Sequence, residues 1–431
     1  MSALINQSRQ PILFETIDGY PRWSICDLLF RDRASQARVL DTMPDNVLRE
    51  LASRLRQPPR SPRLVAESPV KENILAGSAL NLTSIPGFQH GAEDMGRVIV
   101  AMTICRDPDT GRQNLSWTRM TPLSERRATY FIGSSPHMRS ILEKYEKRQE
   151  RMPLVFVVGT HPAYEIMASY SVTTHLDQFG ELEMVPALMG AEVELVACET
   201  VPLYVPAAAE LVIEGYVLET GERIDEGPGP SQALYYVPGI SPQPIFEASA
   251  ILHRSEPLLR QVNTLMFTDH QPLISLPHEA LIFERIRELG VIVRDVLFIP
   301  WGGTMTCVVK MSPEYDGQAM DTLITVLGTR FPNVKLAIAV DDDVDVESAE
   351  DLHWCLATRV EPSRDVHIVP SVRGHPIDPT ARVVEGQPRR RVADKWAIDA
   401  TKPPVSRPGA RETFRKTWPL GWGQHNLSDY L

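Results

Sequence analysis

The segment QNLSWTR (residues 113–119) concentrates side chains that could do chemistry. It carries an amide at Asn114, hydroxyls at Ser116 and Thr118, and a guanidinium at Arg119. Asparagine is depleted in strands, so its presence in a strand-like segment needs a reason. In a strand, Asn114, Ser116 and Thr118 would share one face and Arg119 would lie on the other. The pattern favours a functional site, although an edge strand with a solvated face would also explain it.

The residues before this segment predict a β-hairpin. Residues 98–104 form an apolar, β-branched run that is typical of a strand. The turn DPDTG follows, in which Pro108 presets φ, Asp109 can hydrogen-bond its own backbone, and Gly111 accepts a positive φ. A tight turn of this kind would bring the polar second strand alongside the apolar first one.

The same residues carry a family resemblance. Residues 72–120 combine an acidic Gly-Arg segment, the DPDTG turn, and an asparagine followed five residues later by an arginine. This pattern resembles the UbiD family of decarboxylases, which use prenylated FMN. The resemblance continues at KLAIAVDDDVDV (335–346) and DLHWCLATRVEPSRD (351–365), and it covers the chain from about residue 11 to residue 402.

The resemblance implies a metal site whose ligands are far apart in the sequence. Asn114 matches the asparagine of the family motif, His137 the histidine after the next strand, and Glu181 the glutamate of FGELEMVPALMG, where Glu183 is the less well aligned competitor. An amide oxygen, an imidazole and a carboxylate suit Mn²⁺ or Mg²⁺, and K⁺ is a further candidate ion. The divalent ion would link the protein to the flavin phosphate. Taken alone, His137 would be interpreted as a solvent-exposed histidine at a helix start.

Further cofactor contacts are implied by the same resemblance. Ser116, Trp117 and Thr118 fall at positions that would line the flavin. Lys402 in IDATKPP matches the family's lysine near the C-terminal linker, which reaches the flavin phosphate. From the sequence alone, Lys402 is interpreted equally well as a solvated surface lysine.

Arg119 and Glu226 are the catalytic pair that the resemblance implies. In the family, an arginine bound to a glutamate holds the substrate carboxylate and the cofactor in register. A guanidinium suits this role because its fork binds a carboxylate bidentately and stays charged at any working pH. Glu226 opens EGPGPSQALYY, which aligns without a gap to the corresponding family motif.

One position departs from the family pattern. Five residues after Glu226 the family has an acid, thought to protonate the carbon that loses CO₂, and this chain has Ser231. A serine hydroxyl is too weak an acid for this step near neutral pH, although it can relay a proton. Glu279 in SLPHEAL is therefore the candidate acid, with the neighbouring His278 as the alternative. This hypothesis predicts that Glu279→Gln abolishes turnover while the fold, metal and flavin remain.

The most acidic run, Asp341-Asp342-Asp343, lies between an apolar strand-like segment and a helix predicted to start near Ser348. Carboxylates at such a turn mostly cap backbone N–H groups, so we predict a structural role, with a metal site as the alternative. The sequence contains no dinucleotide-binding glycine motif after a strand, no P-loop, no GxSxG and no HExxH.

Composition narrows the class of protein. The 431 residues, 43% of them hydrophobic, are enough for two or three globular domains. The net charge of −11 argues against nucleic acid or an anionic membrane as the main partner. No apolar run reaches the length of a membrane span, and the N-terminus lacks a signal-peptide core. Five scattered cysteines without a CxxC pair indicate a reducing, cytoplasmic setting.

The order of elements predicts an α+β protein in four parts. Residues 1–73 would form a small N-terminal α/β segment, shorter than is usual in the family. Residues 74–270 are mostly strands, which suggests a barrel-like sheet, and the resemblance makes this the split β-barrel that binds the flavin. Residues 271–400 alternate helices and strands, as in a C-terminal α/β domain that the family uses for oligomerisation. Residues 401–431 would form a linker with a tail helix.

The sequence therefore predicts a non-oxidative decarboxylase of an α,β-unsaturated or aromatic carboxylic acid. The resemblance implies a covalent adduct between the substrate and prenylated FMN, a flavin prenyltransferase as cofactor supplier, and a homodimer or homohexamer. The alternative is a flavin-binding subunit or scaffold without decarboxylase turnover. Ser231 favours that alternative, whereas the intact Arg119, Glu226 and metal residues oppose it.

Overall fold

A computed structural model describes residues 1–8, 10–132, 136–170, 180–231, 233–237, 241–264, 267–331 and 333–421. Within these residues the α-helices are α1 (Ser2–Gln7), α2 (Arg33–Val39), α3 (Val47–Leu55), α4 (Pro136–Arg148), α5 (Pro162–Ser169), α6 (Glu181–Met189), α7 (His270–Glu288), α8 (Gln318–Leu327), α9 (Ala349–Arg359), α10 (Pro362–Asp365) and α11 (Pro408–Arg411). The strands are β1 (Ile12–Phe14), β2 (Ser24–Asp27), β3 (Arg63–Val65), β4 (Asn73–Ala76), β5 (Ile99–Arg106), β6 (Gln113–Pro122), β7 (Arg127–Phe131), β8 (Met152–Val158), β9 (Glu194–Ala197), β10 (Tyr204–Pro206), β11 (Leu211–Val217), β12 (Arg223–Glu226), β13 (Gly229–Pro230), β14 (Tyr236–Val237), β15 (Ser241–His253), β16 (Leu258–Arg260), β17 (Val293–Phe298), β18 (Thr306–Met311), β19 (Leu336–Val340), β20 (Val366–Arg373), β21 (Arg382–Val384) and β22 (Gln387–Ala400).

A closed barrel of six antiparallel strands lies at the centre of the fold. Strands β11, β8, β5, β6, β7 and β15 are hydrogen-bonded in this order. Strand β15 then pairs with β11 and closes the ring, while β4 and β12 pair with other parts of β15. The predicted α+β fold with a barrel-like sheet is therefore confirmed.

Strand β5 shows why this part of the sequence is continuously apolar. Val100 and Met102 belong to a core shared with the surrounding helices, whereas Ile99 and Ala101 belong to the core that contains the barrel's aromatic side chains. Because successive side chains of a strand point to opposite faces, a strand buried on both faces needs apolar residues at every position.

The predicted hairpin is confirmed, and its second strand is not an edge. Strands β5 and β6 pair antiparallel across the DPDTG turn, where the N–H of Gly111 donates to the carbonyl of Asp107 at 2.8 Å and Gly111 has a φ of +73°. On its other side β6 pairs with β7. The alternative of an edge strand with a solvated face is therefore wrong.

The C-terminal region forms a second sheet, with the strand order β17, β18, β19, β22, β20, and β21 beside β22. Leu323 of α8 packs with Ala337 on one face of β19, and Leu352 of α9 packs with Ile338 on the other. Helices therefore cover both faces of a mixed sheet, as the alternating pattern of residues 271–400 predicts.

The last described residues include a short helical segment. Helix α11 spans four residues, Pro408–Arg411, and a single 3₁₀ turn, Glu412–Phe414, follows it. The rest of the predicted tail, from residue 422 onward, lies outside the described residues. Among the helices of the described ranges, none is long and apolar enough to cross a membrane.

Candidate active site

The pairing of β5 with β6 separates the predicted site residues into two groups. Asn114 lies opposite Cys105, and Arg119 lies opposite Val100. Directly opposed residues of antiparallel strands share a face of the sheet. Asn114 therefore shares its face with Cys105 and the barrel's aromatic core, whereas Arg119 shares the opposite face with Val100. The two faces are those that the period-two pattern predicts.

The segments that carry the predicted metal ligands meet at the turn end of β6. The N–H of the residue after Asn114 donates to Oε2 of Glu181 at 3.1 Å. Sδ of Met138, the residue after His137, lies 3.1 Å from Sγ of Cys105, which is the cross-strand partner of Asn114. The fold thus brings the start of α4 and the start of α6 to the same part of the hairpin.

The chemistry of these residues fits a divalent cation. Glu181 is buried, and burial raises the pKa of its carboxyl to about 7. The amide nitrogen of Asn114 is buried and has no hydrogen-bond partner within the described residues. A buried carboxylate, an amide and an imidazole form a set that suits Mn²⁺ or Mg²⁺. The described ranges contain no group of three or more His, Cys, Asp or Glu side chains arranged for a metal, and the predicted set includes only two such residues.

The three side chains predicted to line the flavin also have partners within the protein. Oγ of Ser116 lies 3.1 Å from Oγ1 of Thr103 on the neighbouring strand. Thr118 donates its hydroxyl hydrogen to a carbonyl of β7, and Nε1 of Trp117 donates to a carbonyl of α5 at 2.9 Å. These bonds fix the position of β6 within the barrel. A direct role of these side chains toward a cofactor stays a prediction.

Lys402 lies in the C-terminal unit and is not a solvated surface lysine. Its Nζ is 2.6 Å from Oδ2 of Asp343, and the lysine side chain is 14% exposed. The backbone N–H of Lys402 donates to the carboxylate of Asp341. Its partners within the described residues therefore belong to the acidic run, and a contact of Lys402 with a flavin phosphate stays a prediction.

The acidic run itself binds cations of the protein, not helix N–H groups. Asp343 accepts hydrogen bonds from Arg359 as well as from Lys402, and Asp341 pairs with Arg411. The following helix, α9, is capped by Ser348, whose Oγ accepts from a backbone N–H at 3.1 Å. The structural role is as predicted, but the predicted helix cap is wrong because a serine closer to the helix fills that position.

Arg119 and Glu226 form a buried ion pair although 107 residues separate them. Nε of Arg119 donates to Oε1 of Glu226 at 2.8 Å, and the two side chains are 14% and 4% exposed. Thr129 donates its hydroxyl hydrogen to Oε2 of Glu226 at 2.7 Å. The guanidinium carbon lies 4.0 Å from the ring centre of Phe131, a cation–π arrangement. Both terminal guanidinium nitrogens remain without a hydrogen-bond partner in the described part of the chain.

The terminal end of Arg119 faces a small cleft beside the EGPGP segment. The residues that line the cleft are His90, Asp94, Met95, Val98, Arg119, Thr121, Glu226, Gly227, Pro228, Gly229 and Pro230. A Cβ atom at Gly229 would lie 2.5 Å from Nη2 of Arg119. Only glycine therefore lets this segment approach the guanidinium so closely. The cleft combines a fixed cation with a neighbouring carboxylate.

Ser231, at the position of the family's acid, is buried in a local turn. Its hydroxyl donates to the carbonyl of Tyr235 at 2.7 Å, and its backbone N–H donates to the same oxygen at 3.1 Å. The side chain is 3% exposed. These bonds support a packing role for the hydroxyl and give no support to a proton relay.

Glu279 and His278 lie away from the residues that line the cleft. Oε2 of Glu279 is 2.8 Å from Nη1 of Arg33, and Oε1 accepts from the N–H of Phe298 at 2.9 Å. Burial raises the pKa of the Glu279 carboxyl, and the charge of Arg33 opposes this shift. The ring of His278 stacks on Phe331 at 4.1 Å. These contacts join the N-terminal segment to the C-terminal sheet, and they do not support the predicted role of Glu279 as proton donor.

His90 is a cleft residue that the sequence patterns did not single out. The carboxylate of Asp94 accepts from the N–H groups of His90 and Gly91 at 2.7 and 2.9 Å. This turn holds His90 against the cleft, where its side chain is 6% exposed. An aspartate that follows His-Gly at this spacing is a turn signal, and it could have indicated an ordered loop before β5.

Comparison with known proteins agrees with the fold. Residues 63–265 match the family model of the 3-octaprenyl-4-hydroxybenzoate carboxy-lyase Rift-related domain, and residues 271–400 match that of the corresponding C-terminal domain. The anhydromevalonate phosphate decarboxylase of Methanothermobacter thermautotrophicus is 30% identical over 328 residues, which cover 76% of this chain and 74% of that protein.

Solved structures show the same architecture. The UbiD-class enzyme HmfF from Pelotomaculum thermopropionicum, in complex with FMN, superposes with a TM-score of 0.87 at 30% identity, covering 100% of this chain and 94% of that one. The vanillic acid decarboxylase of Sedimentibacter hydroxybenzoicus in its open form superposes with a TM-score of 0.80 at 26% identity, covering 100% and 91%. Both similarities extend over the barrel and the C-terminal sheet.

Proposed function

Because the chain belongs to the UbiD family of carboxy-lyases, we propose that it decarboxylates an α,β-unsaturated or aromatic carboxylic acid without oxidation, with prenylated FMN as cofactor. The observation that carries this proposal is the Arg119–Glu226 pair. Its guanidinium is held at 2.8 Å by Glu226, and its two terminal nitrogens face the cleft. A guanidinium presented in this way matches the two oxygens of a carboxylate.

The residues around Arg119 fix the guanidinium before a substrate binds. Glu226 holds Nε, the Phe131 ring covers one face, and Thr129 in turn holds Glu226. A group that is already oriented need not reorganise during the reaction, and this makes its electrostatic contribution larger than in water. Arg119 therefore binds the substrate carboxylate and sets its orientation, while Glu226 keeps Arg119 in place.

Prenylated FMN, when bound, supplies the electron sink for the carbon that loses CO₂. We assign Asn114, His137 and Glu181 as ligands of the divalent ion that would hold the flavin phosphate, and Lys402 as a further phosphate contact. The burial of the Glu181 carboxyl supports this assignment, because buried carboxylates are generally paired with a cation or bound to a metal. A flavin prenyltransferase would supply the cofactor.

The activity is tested by co-expression. The chain is produced with and without a flavin prenyltransferase, and CO₂ release is measured from a panel of unsaturated and aromatic acids. We expect CO₂ only from protein produced with the prenyltransferase. Release of no CO₂ from any acid, with prenylated FMN bound, would contradict the proposal and favour the flavin-binding scaffold, which the buried serine at residue 231 supports.

The metal assignment is tested separately. His137→Ala should lower bound divalent metal and bound flavin together, because the ion would connect the protein to the phosphate. Metal is measured by elemental analysis and flavin by absorbance after purification. The exposed His353 of α9 provides the control, since His353→Ala should change neither quantity. Full flavin occupancy in His137→Ala would rule out the assignment.

A further inference from the structure

The imidazole of His90 is held rigidly on the wall of the cleft that contains Arg119. Its Nδ1 lies 3.0 Å from Oγ1 of Thr264, and the backbone N–H of Thr264 points at the same nitrogen from 3.5 Å. The ring also packs against Phe88, with 5.1 Å between ring centroids. Nε2 is buried and has no hydrogen-bond partner among the described residues.

These contacts determine which ring nitrogen carries the proton. A backbone N–H can only donate, so Nδ1 must accept and the hydrogen of a neutral ring lies on Nε2. Burial, followed by the positive charge of Arg119, lowers the pKa of His90 to about 3, so the ring is neutral near pH 7. His90 therefore presents an uncharged N–H donor without an acceptor. A buried donor left in this state costs free energy until a partner binds it.

We propose that His90 is a specificity-determining residue whose Nε2–H donates to an oxygen of the substrate other than its carboxylate oxygens. This inference rests on the proposed function. The two terminal nitrogens of Arg119 can bind both oxygens of the reacting carboxylate, so we assign the donor of His90 to a second oxygen-containing group of the substrate. The substrate class is thereby narrowed to acids that carry a second oxygen, such as a hydroxyl or carbonyl group.

The groups around His90 favour a substrate whose second group is uncharged and polar over a substrate whose second group is a cation or a plain hydrocarbon. His270, at the start of α7, lies close enough to lower the pKa of His90 further, and burial and Arg119 lower the pKa of His270 to about 4. Nδ1 of His270 is buried and unpartnered within the described ranges. Two neutral imidazoles beside an arginine offer hydrogen bonds without adding charge. A site built for such bonds rejects ligands that lack the matching group.

The test measures binding, so that it does not depend on turnover. Full-length protein is purified from cells without a flavin prenyltransferase and titrated by calorimetry. The probes are benzoate with its three monohydroxy derivatives, and crotonate with 4-hydroxycrotonate. We expect at least one hydroxylated acid to bind about tenfold more tightly than its parent, because it pairs the buried donor.

Two variants separate the donor from the shape of the ring. His90→Leu should remove the preference for the hydroxylated acid and leave the affinity for the parent acid within about twofold. His90→Gln, which keeps an N–H donor near the position of Nε2, should retain most of the preference. Absence of any preference in the wild type, its survival in His90→Leu, or an equal loss of affinity for both acids in His90→Leu would overturn the proposal.

A second measurement covers the case in which His90→Leu does not fold. In protein with ¹⁵N-labelled histidine, the preferred hydroxylated acid should shift the Nε2 signal of His90, assigned by its loss in His90→Gln. The parent acid should leave that signal in place, and equal shifts by both acids would overturn the proposal. If plain acids release CO₂ while no preference is found, the inference fails and the proposed function stands. If the preference is found without CO₂ release from any acid, the proposed function fails.

Discussion

Among the described residues of the barrel region, Arg119–Glu226 and Arg260–Glu165 are two buried ion pairs with nearly equal bond lengths. Arg119 lies 2.8 Å from Glu226, and Arg260 lies 2.7 Å from Glu165. Arg260 is 3% exposed and also reaches a second carboxylate, that of Asp269, at 2.9 Å. Arg119 is 14% exposed and has one carboxylate partner within the described residues.

The surroundings of the two pairs indicate different roles, one structural and one in binding. Arg260 joins the strand β16 to helix α5 and to the start of α7, and the carboxylate of Asp269 also accepts the backbone N–H groups of Leu29 and Phe30. These contacts connect four segments of the chain. Arg119 connects two strands and directs the rest of its guanidinium into the cleft. Both terminal nitrogens of Arg260 are buried and have no hydrogen-bond partner in the described residues, although one lies near Asp269. Residue type and bond length are thus shared, and the opening of the terminal nitrogens onto a cleft distinguishes the binding group from the structural one.

The largest expected effect is a loss of stability at the Arg260–Glu165 pair, which is called the enclosed pair below. Arg260→Met should lower the free energy of unfolding by about 3–5 kcal/mol, because Glu165 and Asp269 are left buried without a cation. Urea denaturation followed by tryptophan fluorescence measures the change. Lys144→Met removes a partly exposed ion pair with Asp107 and should cost no more than about 1 kcal/mol. Equal effects of the two substitutions would show that the Arg260 cluster has no special structural role.

The next largest effect is a loss of catalysis at the Arg119–Glu226 pair, which is called the open pair below. Arg119→Lys keeps the charge beside Glu226 but loses the fork that binds a carboxylate, so kcat/KM should fall about 10²–10³-fold, or about 2.7–4 kcal/mol of transition-state stabilisation. The free energy of unfolding should change by less than about 1 kcal/mol. Arg127→Lys, on the neighbouring strand and 41% exposed, is the control and should keep its activity. Near-normal turnover in Arg119→Lys would mean that another cation binds the substrate.

The difference between the pairs also explains what the sequence could predict. The hairpin was predictable because its signals are local: a β-branched run, the DPDTG turn and a positive φ at Gly111. Neither ion pair has a local signal, since its members are 107 and 95 residues apart. Arg119 and Glu226 were identified through the family pattern. Arg260 was missed because a single arginine at the end of a short strand has no distinctive pattern.

Long-range contacts also account for the residues whose surroundings sequence reasoning did not foresee. Glu279 looked like an available acid in SLPHEAL, but its ion pair with Arg33 spans 246 residues. His90 depends on Thr264, which is 174 residues away. In each case the environment of the ionisable group arises only when distant segments pack together. The residue type was visible in the sequence, whereas its exposure and its partners were not.

A smaller effect is expected in the pH dependence of stability, from Asp27, which lies near Asp269 and near Arg260 of the enclosed pair. Burial, followed by the charge of Asp269, raises the pKa of Asp27 from 3.8 to about 8, against the opposing charge of Arg260. A carboxyl with a raised pKa in the folded state holds a proton that the unfolded chain releases. Its contribution to stability is therefore complete below the unfolded pKa and is lost as the pH rises toward 8.

Asp27→Asn removes the titration of Asp27 and leaves that of the other groups, so the difference between wild type and variant reports on Asp27. Between pH 6 and pH 8, the free energy of unfolding of the wild type should fall by about 1–2 kcal/mol more than that of the variant. Denaturation curves at both pH values provide the measurement. Parallel curves for the two proteins would show that Asp27 titrates normally.

The smallest effect is expected at Ser231, which lies in the segment that follows Glu226. Its substitution tests whether this segment takes part in the reaction at the open pair. Its hydroxyl is bound to the carbonyl of Tyr235 at 2.7 Å, so Ser231→Ala should cost about 0.5–1.5 kcal/mol of stability through the lost hydrogen bond. Turnover should stay within about threefold of the wild type, since a hydroxyl committed to a backbone carbonyl does not carry the substrate's proton. Ser231→Thr, which keeps the hydroxyl, is the matched control. A loss of turnover of 100-fold or more in Ser231→Ala, with activity retained in Ser231→Thr, would show that the hydroxyl leaves Tyr235 during the reaction and relays the proton after all.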